Sequence, residues 1–161
     1  MSQSTPEPKP SASRRGFLQS SVLAGTVAAT LPIARSAHAQ GSDVIRLGLI
    51  GCGGRGTGAA GQALDTNSES NRVKLTAVAD PFKFRAENAL KELKNKHKDN
   101  VDAKAFIGVD GFKEVLASDV DMVILTSPPG FRPLHFEAAV KAGKHVFMEK
   151  PVATDAPGVR R

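Results

Sequence analysis

Val44-Ile45-Arg46-Leu47-Gly48-Leu49-Ile50-Gly51-Cys52-Gly53-Gly54-Arg55-Gly56 is the stretch on which the fold of this 161-residue chain turns. Its first seven residues form a short, mostly apolar run and predict a buried strand. Its last six fit G-x-G-x-x-G, and the small residues beyond predict a helix over residues 56–65, with Ala59, Ala60, Ala63 and Leu64 on its packed side. Each glycine has its own task in such a crossing. Gly51 permits the tight turn, Gly53 lets the backbone approach a diphosphate, and Gly56 lets the helix pack against the strand. A helix mouth placed there offers amide hydrogens and a partial positive charge to an anion. Glycine-rich turns are common, so the pattern by itself also fits a purely structural loop. The strand before it and the helix after it favour a phosphate cradle, with Gly54 and Arg55 completing the set of cofactor-binding candidates.

Residues 72–79 alternate, with Val73, Leu75, Ala77 and Ala79 set against Arg72, Lys74 and Thr76, and Val78 adds bulk. This is a second strand. It ends at Asp80, 24 residues beyond Gly56. A carboxylate in that place can bond the adenosine ribose hydroxyls of NAD and repel the extra phosphate of NADP. The plainer alternative is that Asp80 merely starts the turn with Pro81. Arg55, Lys83 and Arg85 lie close by and offer the opposite choice, neutralising a 2′-phosphate. NAD is the expected cofactor, with NADP as the alternative. A methyltransferase also uses a glycine loop and an acid, but it leaves the C-terminal half unexplained.

Further along, a charged amphipathic helix is expected over residues 83–98 and a weaker strand around residues 105–109. A short helix over residues 111–117 and a strong strand over residues 122–126 follow. Ser127-Pro128-Pro129-Gly130 stops that strand. A helix over residues 133–142 has Pro133 near its first turn and Gly143 as its stop. The last strand is expected over residues 146–148, ending at Glu149-Lys150-Pro151. Strands alternating with helices predict an α/β fold, a Rossmann-type doubly wound parallel sheet. No internal repeat interrupts the pattern.

The motifs taken together resemble a known family. Leu47 to Gly56, then Ala79-Asp80, then Thr126-Ser127-Pro128, and last Ala142-Gly143-Lys144-His145-Val146-Phe147-Met148-Glu149-Lys150-Pro151 occur in order. They look like the N-terminal half of the glucose-fructose oxidoreductase / inositol dehydrogenase / rhizopine catabolism (Gfo/Idh/MocA) family. The block ending in Glu-Lys-Pro is the most diagnostic piece. The resemblance implies that Thr126, Ser127 and Pro128 lie along the cofactor near its nicotinamide end, with His135 at the start of the next helix. The chain departs there from the commoner Thr-Pro-Asn-x-x-His form, having a longer loop without the Asn; His135 also fits a plain helix-start residue. The resemblance further implies that Glu149 shapes the cofactor end and that Lys150 meets substrate and nicotinamide. An ammonium there bonds the reacting hydroxyl and favours its deprotonation, and desolvation lowers a lysine toward the working range. A surface lysine after a strand is the plainer alternative. The implied activity is NAD(P)-dependent oxidation at a sugar, cyclitol or related polyol CH–OH. An NAD-dependent glycosidase of the same family and a truncated, non-catalytic nucleotide binder are the rivals. Family members continue into an α+β substrate domain that is expected to be absent from this chain, and a homo-oligomer is expected only where that domain is present.

Composition narrows the field further. Hydrophobic residues are 40% and charged residues 24%, as in an ordinary globular protein. The net charge of +6 is not spread evenly. Before Gln40 stand Lys9, Arg14, Arg15 and Arg35 against Glu7 alone. Removing those four from 22 cations and that one from 16 acids leaves +3. With no Trp or Tyr there is little for a base-stacking platform, which argues against nucleic acid as a partner. A single cysteine, Cys52, excludes an internal disulfide, and no Cys/His cluster has metal-ligand spacing.

The first 39 residues read as an address. Ser13-Arg14-Arg15-Gly16-Phe17-Leu18-Gln19 precedes a mildly apolar run over residues 22–33, and Ala37-His38-Ala39 supplies a small-x-small cleavage pattern before Gln40. This layout matches a twin-arginine (Tat) export signal, except that Gln19 stands where Lys is frequent. Residues 17–33 are too short and too polar to be read as a stable membrane span. The expectation is a periplasmic or otherwise exported protein, passed in folded form through the twin-arginine machinery. Residues 40–161 form its nucleotide-binding domain.

Overall fold

The computed structural model describes residues 44–69 and 72–161. Strand β1 (Val44–Ile50) leads into helix α1 (Gly54–Asp65), then β2 (Arg72–Asp80) into α2 (Lys83–His97). A short 3-10 turn (Lys98–Asn100) precedes β3 (Val101–Ile107), and α3 (Gly111–Ala117), β4 (Met122–Leu125), α4 (Arg132–Lys141), β5 (His145–Met148) and α5 (Ala156–Arg160) follow. The strands pair in the order β3-β2-β1-β4-β5, all parallel. The chain runs outward from β1 to β3, then crosses back to lay β4 on the other side of β1. That reversal opens a crevice at the carboxyl ends of β1 and β4, where open α/β sheets bind their ligands.

Both faces of the sheet are covered, as the alternating elements predict. On one face Leu47, Leu49, Val73 and Leu75 meet Ala60, Leu64, Ala89 and Leu93 of α1 and α2. On the other, Ile50, Ala77, Ala79, Val123 and Leu125 meet Phe112, Val115, Leu116 and Ala139 of α3 and α4. The central strands are therefore apolar on both sides, which is why β1 and β4 read as nearly continuous hydrophobic runs.

The edges differ. The expected strand at residues 105–109 instead begins at Val101 and ends at Ile107. As an outer strand β3 carries Asp102 and Lys104 among its apolar residues, and this mixture obscures its start. Helix α1 begins two residues earlier than expected, at Gly54, and α4 one residue earlier, at Arg132. The stop at Gly143 takes the expected form. Gly143 N donates to Val140 O and Lys144 N to Ala139 O, each at 3.0 Å, the paired bonds of a Schellman cap. The export signal read in residues 1–39 lies outside the described residues. No described helix is long and apolar enough to cross a membrane.

Candidate dinucleotide-binding site

The crossing from β1 to α1 is held open by contacts that leave no room for side chains at two glycines. Gly51 has φ +100°, and a Cβ on it would lie 2.6 Å from Ser127 N. A Cβ on Gly56 would lie 2.0 Å from Gly51 O and 2.5 Å from Thr126 Oγ1. Glycine is thus required at both positions. The loop is tied on both sides: Gly51 N donates to Ala79 O at 2.8 Å and Thr126 Oγ1 donates to Gly51 O at 2.7 Å. Gly53 and Gly54 are different, because nothing lies within 4 Å of a Cβ built on either. The protein's own packing does not explain a glycine there. Gly53 is the N-cap of α1 and no side chain caps that helix, so its first-turn amides lack a side-chain acceptor. Open space in front of uncapped amides fits a diphosphate.

In front of this loop lies a cleft of about 450 Å³. Gly51, Gly53 and Asp80 line it beside β1 and β2, and Thr126, Ser127, Pro128 and His135 line it beside β4. Seven of the expected site residues therefore share one cleft. Gly54 instead borders a second hollow of about 400 Å³, together with Gly53, Thr57, Arg85 and Asn88. Arg55, Gly56, Glu149 and Lys150 line neither of these hollows.

Asp80 is buried, and both carboxylate oxygens accept from backbone amides: Oδ2 from Cys52 N at 2.8 Å and Oδ1 from Phe82 N at 2.9 Å. It starts the turn at Pro81 and clamps the glycine loop to β2, which is the structural side of the two readings given above. Cys52 is buried beneath the loop, and burial, reinforced by the Asp80 charge, pushes its thiol up to about 12. It stays protonated at neutral pH.

At the β4 end, Ser127 and His135 are both buried, and Ser127 Oγ shares a hydrogen bond with His135 Nδ1 at 3.0 Å. The imidazole packs against Phe112, with ring centres 4.3 Å apart, and burial pushes it down to about 4. His135 is thus a neutral wall of the cleft at physiological pH. Arg55 pairs with Glu149, its Nε donating to Oε1 at 2.8 Å, and this bond holds the Glu149 carboxyl below its usual range. The two were expected separately at the cofactor; the fold joins them to each other. Lys150 follows at the end of β5 and is exposed. Among the described residues, no group of three His, Cys, Asp or Glu is placed to hold a metal ion.

One residue central to this arrangement escaped the sequence reading. Arg132 is buried, and its Nε donates to Ser127 O at 2.7 Å while Nη1 donates to Glu149 O at 2.8 Å and Pro151 O at 2.6 Å. It fastens the loop after β4 to the segment after β5. The signal available was a lone charge between Phe131 and Pro133 at the mouth of a helix, which also fits a solvated residue.

Residues 45–161 match the family described as an oxidoreductase family with an NAD-binding Rossmann fold, Gfo/Idh/MocA. The chain belongs to this family. The Gfo/Idh/MocA match explains the glycine loop and the sheet order together, and makes residues 45–161 an NAD-binding oxidoreductase-family domain. Glycosyl hydrolase family 109 protein 2 of Shewanella sp. (strain ANA-3) is 29% identical over 163 residues, covering 87% of this chain and 34% of that protein. Among solved structures, scyllo-inositol dehydrogenase from Lactobacillus casei, with bound NAD(H) and scyllo-inositol, is 29% identical at a TM-score of 0.56. The match covers 73% of this chain and 31% of that one. A 3-ketoreductase from Actinomadura kijaniata in complex with NADP is 30% identical at a TM-score of 0.53, covering 73% of this chain and 33% of that one. The chain thus spans about a third of the length of the relatives it matches. The family's domain is NAD-binding, and the ketoreductase among its structural neighbours holds NADP.

Proposed function

We propose that this chain supplies the dinucleotide-binding half of an exported oxidoreductase that acts on a CH–OH group of a sugar, cyclitol or related polyol. The observation that carries the reading is the space in front of Gly53 and Gly54 at an uncapped helix, opening into a cleft that runs on to Thr126, Ser127 and His135. The diphosphate rests on the amides at the start of α1. The adenosine lies toward Asp80 and the nicotinamide toward Ser127, Pro128 and His135. When bound, the oxidised nicotinamide supplies a hydride acceptor. His135 and Phe112 exclude water from that end, and Lys150 assists removal of the hydroxyl proton. Lys150 gains its working environment from substrate and from protein outside the described residues. The inositol dehydrogenase likeness supports a cyclitol or sugar as substrate.

Export rests on Arg14-Arg15 with the Phe-Leu that follows, the apolar run and Ala37-His38-Ala39. A protein moved in folded form can carry its dinucleotide with it. A reporter fused to residues 1–39 should reach the periplasm, and Arg14→Lys with Arg15→Lys should retain it inside; export of both forms would refute the signal.

A second reading has its own support, since a glycosyl hydrolase family 109 protein matches most of the chain. In that case oxidation is transient and a glycoside is eliminated without net reduction of cofactor. One assay separates the two. The whole enzyme, this half together with its substrate domain, is incubated with NAD and a panel of inositols, sugars and aryl glycosides, following both absorbance of reduced nicotinamide and free sugar. Net reduction with a polyol, abolished by Lys150→Ala while NAD still binds, is the expected result. Free sugar without net reduction favours the glycosidase, and neither product with any compound contradicts both.

A further inference from the structure

Arg132 opens α4 and is only 6% exposed. Taking a guanidinium out of water is costly, and an apolar side chain of similar size would fill the space without that cost. The three backbone carbonyls that receive its donors are not scattered. Two belong to Glu149 and Pro151, the residues immediately before and after Lys150, and one Nη1 reaches both. The third belongs to Ser127, which lines the cleft beside Pro128 and His135 and accepts from Nε. The Glu149 carboxylate also feels the charge of Arg132, but it is bonded to Arg55.

The surrounding bonds show what Arg132 adds. Strand β5 ends at Met148, and Glu149 N continues its ladder by donating to Leu125 O at 3.1 Å. The chain is thus held by the sheet up to Glu149. Past that bond the ladder has ended, and the bond from Arg132 to Pro151 O pins the far side of Lys150. On the other loop, His135 engages the Ser127 hydroxyl while Arg132 engages the Ser127 carbonyl. Lys150 is therefore exposed as a side chain, yet its backbone is tied on both flanks to the loop at the nicotinamide end of the cleft.

From this we infer that Arg132 is a positioning residue, which sets Lys150 at its working distance from the nicotinamide. The inference rests on the oxidoreductase reading above and adds the residue through which Lys150 is aligned. In that reaction the carbinol carbon gives its hydride to the oxidised nicotinamide and the hydroxyl gives its proton to Lys150, leaving a carbonyl. Both acceptors must face one substrate together. A misplacement of about 1 Å between such partners costs on the order of a hundredfold in rate. A rigid planar fork bonded to both segments fixes that spacing, whereas an ammonium on a flexible stem does not.

The test is single-turnover reduction of bound NAD in the whole enzyme, this half together with its substrate domain, below the melting temperature of each variant. The substrate is the compound of the inositol, sugar and glycoside panel that is turned over fastest. The amplitude of the absorbance change counts competent sites, and its rate constant reads the chemical step. Arg132→Lys and Arg132→Gln should each lower the rate constant by about tenfold or more. Amplitude should stay within about twofold and the NAD dissociation constant within about threefold of the unaltered enzyme. A lower amplitude at an unchanged rate constant would overturn the inference, since Arg132 would then only keep the protein folded. Unchanged kinetics in both variants, or loss of NAD binding in both, would overturn it as well. Each of those results leaves the oxidoreductase reading standing. An unaltered enzyme that reduces no bound NAD with any compound of the panel would overturn that reading, and this inference with it.

Discussion

His135 is neutral because it is buried, and its burial has a measurable consequence. The imidazole is pushed from 6.5 to about 4 in the folded chain. Between those values the unfolded chain binds a proton that the folded chain does not, so stability rises with pH across that window. It is fully present above pH 6.5 and is lost as pH falls toward 4, by up to roughly 3 kcal/mol. Urea unfolding at pH 7 and pH 5 should show this loss in the unaltered chain and a smaller one in His135→Gln. Equal losses in the two proteins would mean that another group carries the pH dependence. The same residue shows how far single positions can be read from sequence. Its place beside the cleft follows from the helix after β4, but its partners, Ser127 and Phe112, come from a loop and from another helix. Asp80 is a similar case. Its position at the end of β2 is plain in the alternating pattern, whereas the two amides that engage it depend on how the glycine loop folds back.

At the scale of elements, strands buried on both faces and helices with a clear stop were legible. β1 and β4 announce themselves through apolar runs, β2 through its alternation, and α4 through Pro133 and Gly143. The outer strand β3 was misplaced by four residues at its start, because only part of an edge strand is buried and its pattern is broken by Asp102 and Lys104. What no periodicity reports is how two loops are fastened to each other. Arg132 does this with three bonds to backbone carbonyls on two segments. Arg132→Met keeps much of the stem's packing but leaves those carbonyls without their charged donor, and should cost about 2–4 kcal/mol of unfolding free energy. Arg55→Ala, which breaks a half-exposed pair with Glu149, should shift the denaturation midpoint less. A larger shift for Arg55→Ala would mean that the second pair, not Arg132, secures the end of β5. Arg132→Lys should not restore full stability, since a single ammonium cannot match the guanidinium fork.

For the whole molecule, the sheet order places the glycine loop of β1 against the loop after β4, the reversal point of an open parallel sheet. The cleft, the family match and the likeness to a dehydrogenase holding NAD(H) and a ketoreductase holding NADP converge on that point. The substrate side is a separate matter, because the chain spans about a third of the relatives it matches and Lys150 is exposed at the end of β5. The central claim is that backbone amides beside Gly53, and not merely a glycine-rich turn, receive the dinucleotide. Calorimetric titration of the full chain and of Gly53→Ala with NAD tests it most directly. A methyl group at Gly53 meets no protein atom within 4 Å and the residue's φ of −73° suits alanine, so the melting temperature should not change. Saturable binding by the unaltered chain, weakened about tenfold or more in Gly53→Ala at unchanged stability, is the expected result. Binding that is equally tight in both proteins, or no binding of NAD or NADP at about millimolar concentration, would contradict the account.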